Sequence, residues 1–271
     1  MLNDPIILKL AEDHFWFSIA DSDVLLWAKG LAYGFGLNVI VDEPDVWPLA
    51  VQGPKSDDLM SRVFGDLVRD IGFFRFIKCD FQDHSLIVAR SGYSKQGGFE
   101  IYLDRPELGL DLWDALWTAG EELNVSPGCP NLIERVEGGL LSYGNEMTRE
   151  ENPIECGLSQ YCQLDGSIEY IGREALQRIA RQGPGRMIRG LLFDGEACPA
   201  CQAPWPVSVD GTKLGYVTSA TWSPRFGKNI ALAMIDKAYW QAGRKVVVGS
   251  SDGWSRNGIV TKIPIPDGVT A

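Results

Sequence analysis

Apolar and polar positions along the first forty residues follow a pattern that predicts two short strands and then a helix. The apolar runs PIILKL and FWFSIA flank the polar AEDH between residues 5 and 20, which indicates a β-hairpin. Residues 22–36 then carry apolar side chains at helical spacing, with Ser22 as a possible N-cap and glycines at the end. The chain therefore opens with a predicted hairpin followed by an amphipathic helix.

The region that follows mixes further strands and helices. Residues 38–42 and 47–53 read as strands, and residues 54–68 read as a helix with Pro54 in its first turn. The remaining predicted elements before residue 183 are strands at 85–92 and 99–103 and helices at about 107–123, 131–144 and 171–183. Hairpins and helices mixed without strict alternation favour an α+β fold.

From Arg186 onward the pattern changes to short strands separated by Gly, Asp and Pro turns. The runs RMIRGLLFDG, KNIALAMI, KVVVGS and RNGIVTKI are examples, and such spacing is typical of a small antiparallel barrel or sandwich. The clearest boundary lies at 183–186. We therefore predict an α+β fold in which residues 1–183 mix antiparallel sheet with helices and residues 186–271 form a C-terminal antiparallel β-barrel.

Composition and charge exclude several classes of protein. The 271 residues are 45% hydrophobic and 23% charged, as in ordinary globular proteins. A net charge of −11 argues against nucleic acid and against anionic membranes as partners. The first residues lack the basic and then apolar pattern of a signal peptide, and we expect a cytoplasmic location.

Cysteine and histidine patterns give little support to a metal or redox site. Cys198 and Cys201 form a CxxC, but no second pair of cysteines or histidines follows at similar spacing. His14 and His84 lie far away in sequence, and neither is near a nucleophile motif. We expect a reduced loop rather than a zinc site, and we expect no metal. Phosphate-binding glycine motifs are also absent from the sequence.

Four islands of polar and aromatic residues stand out in otherwise apolar surroundings. They are Asn3–Pro5 and residues 93–102, 133–145 and 219–224. Each island alone is explained by local structure, such as a strand entry, a turn or a helix end. Glu100 poses the sharpest question, because a carboxylate placed after Gly97 and Gly98 at the start of a strand either faces water or binds a ligand.

Taken together and in this order, the islands resemble the folate-dependent aminomethyltransferase superfamily, which includes the glycine-cleavage T-protein. The motifs that carry the resemblance are FEIY after a glycine-rich turn, IERVEGGLLSYGNEMT, NPIECGLSQYC, IGREAL and GYVTSATWSP. Other stretches resemble more specifically its dimethylsulfoniopropionate demethylase branch, namely FWFSIADSDVLLWAKGLA, AVQGPK, ARSGYSKQGGFEIYL and ERVEGGLLSYG. The resemblance covers nearly the whole chain.

This resemblance implies a tetrahydrofolate cofactor and assigns residues to it. Glu100 corresponds to the family glutamate that hydrogen-bonds the pterin, and a carboxylate suits two adjacent N–H donors. Tyr93 and Tyr102 flank Glu100 and are expected to supply an aromatic wall and a hydroxyl group.

The resemblance also implies a catalytic residue and further cavity residues. Asp4 corresponds to the acidic residue near folate N5, whereas Asn3 stands where the family commonly has a second Asp. Tyr143 and Trp222 are expected to line the cavity.

Two departures from the family pattern are visible. Asn131 occupies the position of a T-protein arginine, which argues against glycine cleavage. The sequence also begins almost at Asp4, so that compared with the family an N-terminal segment is missing, which implies either a truncated form or a more open pocket.

The expected function is that of a tetrahydrofolate-dependent methyltransferase that demethylates dimethylsulfoniopropionate. A sulfonium is already a good leaving group, so the main task is alignment of donor and acceptor. Trp16, Tyr93 and Trp222 are candidates for cation–π contact with the sulfonium. An O- or N-methyl donor and a folate-binding protein without turnover remain open alternatives. The partner is a small-molecule methyl donor, and the sequence does not indicate an oligomeric state.

Overall fold

The computed structural model describes residues 1–20, 24–250 and 253–268. The α-helices of the described residues are α1 Val24–Gly34, α2 Ser56–Phe64, α3 Gly109–Gly120, α4 Leu132–Gly138 and α5 Arg173–Gln182. The strands are β1 Ile6–Lys9, β2 Phe15–Ser18, β3 Trp47–Gln52, β4 Phe76–Phe81, β5 His84–Ala89, β6 Gly98–Leu103, β7 Arg186–Phe193, β8 Trp205–Val209, β9 Thr212–Ser223, β10 Lys228–Asp236, β11 Lys245–Gly249 and β12 Ser255–Thr261. Antiparallel sheets mixed with helices confirm the predicted fold class.

The chain forms two compact units. We call Pro5–Pro130 the sheet unit, and Met1–Asp4 together with Asn131–Ala271 the barrel unit. The sequence boundary at 183–186 lies within the barrel unit, between α5 and β7, and the division into residues 1–183 and 186–271 stays a prediction.

The sheet unit is built on an antiparallel sheet with the strand order β3-β6-β5-β4. Successive side chains of a strand point to opposite faces. One face of the sheet therefore carries Leu86, Val88, Phe99 and Ile101, and these residues share a buried cluster with apolar residues of α2 and α3. This core fixes the register of β6, and hence the face on which Glu100 lies.

The second face of the sheet packs against the hairpin formed by β1 and β2. Ile87, Ala89 and Tyr102 cluster there with Leu8 of β1 and Trp16 of β2. The hairpin predicted over residues 5–20 is confirmed, and the sheet has apolar contacts on both faces.

Two local predictions in the sheet unit were wrong, and one strand was missed. Residues 38–42 form no strand; Ile40 is 93% exposed, and the apolar run has no pairing partner within the described chain. The strand β4 was not predicted although it forms one edge of the sheet. Pro54 precedes α2 rather than opening it. The helix predicted over residues 22–36 forms as Val24–Gly34, and Ser22 lies outside the described residues.

The barrel unit contains a closed antiparallel barrel with the strand order β10-β7-β12-β11-β8-β9. Its interior is filled by a cluster that includes Phe193, Trp205, Val217 and Val260. A second cluster covers the outside of β7 and β10 and includes Val136 of α4. The predicted C-terminal barrel is therefore confirmed as closed.

Helix α4 packs on the barrel and is shorter than predicted. Asn131 caps its start, with the side-chain oxygen accepting hydrogen bonds from the amides of Ile133 (2.8 Å) and Glu134 (3.4 Å). The helix ends at Gly138, and Gly139 (φ +66°) forms the left-handed cap, so the prediction that it runs to Gly144 was wrong.

Candidate functional site

Glu100 lies on the face of the sheet that also packs against the β1–β2 hairpin. The neighbouring residues Phe99 and Ile101 are fully buried in the helix-side core, which directs Glu100 to the opposite face. Glu100 is half-buried and pairs across the sheet with Ala89. The carboxylate therefore lies on the hairpin-side face and is not a fully exposed turn residue.

One oxygen of the Glu100 carboxylate is held by the protein. The hydroxyl group of Ser91, a residue only 3% exposed, donates a short hydrogen bond to Oε2 of Glu100. Oε1 has no hydrogen-bond partner in the part of the chain that the structure describes. The carboxylate can therefore accept further N–H donors from a ligand.

Tyr102 lies on the same face, two residues after Glu100. It is 2% exposed, and its hydroxyl group has no hydrogen-bond partner among the described residues. Burial raises the pKa of Tyr102 to about 12. The side chain of Ser18 lies close enough to the phenol oxygen to lower this pKa without completing a well-formed hydrogen bond, and the charge of Glu100 raises it slightly. The phenol therefore stays protonated and can donate a hydrogen bond.

Tyr93 and Trp16 are the other aromatic candidates of the sheet unit. The ring of Trp16 lies 6.3 Å from that of Tyr102, measured between centroids, at an interplanar angle of 46°. Tyr93 is in the loop between β5 and β6 and is 41% exposed. Trp16 and Tyr102 thus form one aromatic group beside Glu100, while Tyr93 presents a ring to solvent.

Asp4 belongs to the barrel unit. Its amide donates a 2.8 Å hydrogen bond to Oδ1 of Asn3. The side chain of Asp4 keeps solvent access, but surrounding protein atoms displace enough water to raise its pKa above the usual range, against a smaller opposing effect of its own amide. Oδ1 of Asn3 accepts the hydrogen bond from the amide of Asp4. The other polar atom of the Asn3 side chain, Nδ2, is buried and has no hydrogen-bond partner among the described residues. An orphaned buried donor of this kind is rare unless a water or a ligand satisfies it.

Tyr143 and Trp222 also lie in the barrel unit. The hydroxyl group of Tyr143 donates a 3.3 Å hydrogen bond to the carbonyl oxygen of Met1, close to Asp4 in sequence. Trp222 is half-buried near the end of β9 and pairs with Asn229 of β10. Tyr143 therefore contacts the first residues of the chain, whereas the neighbour shown for Trp222 is Asn229 of β10.

A buried ionic network supports the segment around Tyr143. The side chain of Glu146 is fully buried, and its Oε2 accepts hydrogen bonds from Nη1 of Arg135 (2.7 Å) and from the amide of Ser142 (2.9 Å). Oε1 accepts the hydroxyl groups of Thr218 (2.9 Å) and Ser219 (2.5 Å). This network joins α4, the segment 139–147 and β9, and sequence reasoning did not find it.

The cysteines are unpaired thiols. Burial raises the pKa of Cys198, and it raises that of Cys201 to about 11, so both thiols are protonated and poorly nucleophilic near neutral pH. Among the described residues, no group of three or more His, Cys, Asp or Glu is arranged to hold a metal ion. Within the same ranges, no helix is long and apolar enough to cross a membrane.

Two family descriptions match successive parts of the chain. The GCVT N-terminal domain matches residues 1–166, and the glycine cleavage T-protein C-terminal barrel domain matches residues 186–265. The second match covers the closed barrel of β7 to β12.

Individual proteins agree with this match. Dimethylsulfoniopropionate demethylase DmdA of Ruegeria pomeroyi is 55% identical over 253 residues, which are 93% of this chain and 69% of that protein. The aminomethyltransferase of Thermoanaerobacter pseudethanolicus is 30% identical over 264 residues, covering 92% of this chain and 68% of that protein. The crystal structure of glycine cleavage system aminomethyltransferase T from Bartonella henselae shares the fold, with a TM-score of 0.76 at 22% identity over 97% of this chain and 72% of that one. The chain belongs to the glycine cleavage T-protein family.

Proposed function

We propose that the protein is a tetrahydrofolate-dependent methyltransferase that removes a methyl group from dimethylsulfoniopropionate. The observation that carries the proposal is the 55% identity to a dimethylsulfoniopropionate demethylase, against 30% to an aminomethyltransferase over a similar share of the chain. The replacement of a T-protein arginine by Asn131, which here caps α4, supports the same choice.

The sheet unit supplies groups that fit the pterin of a folate. Within the described residues, Oε1 of the Glu100 carboxylate has no hydrogen-bond partner. The buried hydroxyl group of Tyr102 also lacks a well-formed hydrogen bond there. Glu100 accepts N–H donors from the ligand, and Tyr102 donates its phenolic hydrogen. Tyr93 supplies an aromatic face. When bound, tetrahydrofolate supplies the nitrogen that receives the methyl group.

The barrel unit supplies the proposed catalytic residue, Asp4. In its ionised form the carboxylate stabilises the positive charge that develops on the accepting amine during transfer. The raised pKa of Asp4 keeps this carboxylate sensitive to mild acid, because protonation removes the stabilising charge.

The methyl donor needs little proton chemistry. Transfer would break one sulfur–methyl bond, form one nitrogen–methyl bond and leave a neutral thioether, and the proton released from the accepting nitrogen would pass to solvent. We propose that Tyr143 and Trp222 of the barrel unit line the cavity for the donor and that Trp222 offers an aromatic face to the cation; Trp16 of the sheet unit is a separate candidate for that contact. The cytoplasmic location remains a prediction.

Calorimetry with tetrahydrofolate, followed by an assay for 5-methyltetrahydrofolate with dimethylsulfoniopropionate as donor, tests the proposal. We expect Glu100→Ala to abolish folate binding and Asp4→Asn to retain binding but lose methyl transfer. Glu107→Ala, which removes an exposed carboxylate close to β6, is the matched control and is expected to behave like the wild type.

Three outcomes separate the alternatives. An absence of folate binding by the wild type refutes the folate proposal. Folate binding with product formed only from N-methylglycine or an aryl methyl ether identifies a different donor. Folate binding without product from any of these donors supports a folate-binding protein without turnover.

A further inference from the structure

The side chain of Gln52, at the end of β3, organises the loop that joins β5 to β6. Its Nε2 donates to the carbonyl oxygens of Ser91 (3.0 Å) and Phe99 (3.1 Å). Its Oε1 accepts a 2.6 Å hydrogen bond from the hydroxyl group of Ser94. One amide therefore satisfies three groups and joins both ends of the loop to the sheet.

Two glycines make room for this arrangement. Gly92 has φ +153°, and a Cβ atom added to it would lie 2.2 Å from Nε2 of Gln52. Gly98 has φ +150°, and a Cβ atom added there would lie 2.2 Å from the carbonyl oxygen of Val51. A side chain at position 92 would displace the Gln52 amide, and a side chain at position 98 would clash with the backbone of β3, so the observed loop conformation depends on both glycines.

Ser91 connects this loop to the carboxylate of Glu100. Its carbonyl oxygen is fixed by Gln52, and its buried hydroxyl group donates to Oε2 of Glu100. A continuous set of hydrogen bonds thus runs from Gln52 through Ser91 to Glu100, entirely within the sheet unit. It restrains the rotation of a carboxylate whose other oxygen, Oε1, has no partner among the described residues.

We propose that Ser91 and Gln52 are positioning residues for folate recognition. They hold the Glu100 carboxylate in one orientation before the ligand arrives, so that Oε1 is presented to the N–H donors of the pterin. Groups that are held in the bound geometry lose less freedom on binding, which increases affinity. The inference rests on the proposed function, because it assumes that Glu100 is the pterin-binding group.

Ser91→Ala and Ser91→Cys test the role of the hydroxyl group. Ser91→Ala removes the donor, and we expect the Kd for tetrahydrofolate to rise about tenfold. Ser91→Cys fills the same space with a weak donor, and we expect a similar loss. The KM for folate rises accordingly, while kcat at saturating folate and the KM for the methyl donor stay close to wild-type values.

Ser94→Ala is the matched control, because it removes a serine hydroxyl from the same loop without touching Glu100. We expect a change of less than about twofold in folate affinity, since Gln52 keeps its two other contacts. Gln52→Glu places an oxygen opposite two carbonyl oxygens, and we expect it to weaken folate binding at least as much as Ser91→Ala.

The inference and the proposed function fail in different ways. Loss of folate binding in Glu100→Ala together with wild-type affinity in Ser91→Ala overturns the positioning role. Wild-type affinity in Ser91→Cys also overturns it, since packing and not hydrogen bonding would then matter. If Ser94→Ala and Ser91→Ala lose the same amount of folate affinity, the effect comes from the order of the loop and not from the bond to Glu100, which overturns the positioning role of Ser91. Wild-type folate affinity in Gln52→Glu overturns the positioning role of Gln52. Wild-type binding by Glu100→Ala refutes the proposed function instead.

Discussion

Replacing Glu146 by glutamine is expected to cause a large loss of stability in the barrel unit. The Glu146 side chain is fully buried and accepts hydrogen bonds from four donors. Its charge is balanced by Arg135, whose side chain is 10% exposed. Glutamine keeps the shape of the side chain but removes the charge and places an NH2 group among donors.

The size of the effect follows from what the substitution leaves behind. Removing one partner of a buried ion pair costs about 3–5 kcal/mol, because the other charge stays buried without compensation. Arg135 keeps its hydrogen bonds to the carbonyl oxygen of Leu140 (3.2 Å) and to the hydroxyl group of Ser219, and hydroxyl groups can rotate to accept the new NH2. We therefore expect a value near the lower limit, ~3 kcal/mol. For a unit of this size that corresponds to a fall in Tm of roughly 10 °C.

Thermal denaturation and urea denaturation of Glu146→Gln measure this loss. The matched control is Glu150→Gln, the same chemical change at an exposed position four residues later, with an expected effect within about 0.5 kcal/mol. Hydrogen exchange should show the loss of protection in α4 and β9, which the network joins. The reasoning is refuted if the two variants melt within about 2 °C of each other.

Asp4, Tyr102 and Gly98 provide three independent tests. Partial burial raises the pKa of Asp4, so the rate of product formation should fall on acidification at a higher pH than an ordinary aspartate would give. The residual activity of Asp4→Asn should not show this fall at acidic pH. Tyr102→Phe removes a buried hydroxyl group that has no partner in the described chain, so folate affinity measured by calorimetry should fall about fivefold while Tm stays equal or rises; a clearly lower Tm contradicts this. Gly98→Ala brings a Cβ atom against the carbonyl oxygen of Val51, and urea denaturation should show a loss of about 2–3 kcal/mol in the free energy of unfolding. Gly97→Ala is the control, because Gly97 has a positive φ but open space around it, and its expected loss is about 1 kcal/mol. Equal losses in the two variants would refute the steric argument.

The strands of the barrel could be predicted from the sequence because their local pattern and their final environment agree. The run KNIALAMI is apolar on both faces, and residues 230–235 of β10 are buried between the barrel interior and the outer cluster. The run at 38–42 has equally strong strand propensity but lies exposed, since propensity alone does not provide a partner strand. Lys78 and Asp80 lie on the exposed side of β4 and alternate with the buried Cys79 and Phe81. This period of two is itself a strand signal, so β4 could have been predicted from the sequence.

The candidate site was predictable where it depends on the period of a strand. The placement of Glu100 and Tyr102 on one face follows from their spacing of two residues. The contact of Ser91 with Glu100 depends instead on a loop whose path is set by Gly92, Gly98 and the distant Gln52. The glycine-rich sequence after Ser91 was a signal that the chain turns back toward β6, but the partner on β3 is visible only in three dimensions.

The strand order of the barrel has a consequence for synthesis of the protein. The last strand, β12, pairs with both β7 and β11, so the barrel cannot close before Thr261 has been added to the growing chain. Until then β7 and β11 each present an unpaired edge, which is a template for pairing with another chain. A nascent chain that stalls shortly before β12 is therefore the species most exposed to intermolecular strand pairing, and it is where a chaperone would be most needed.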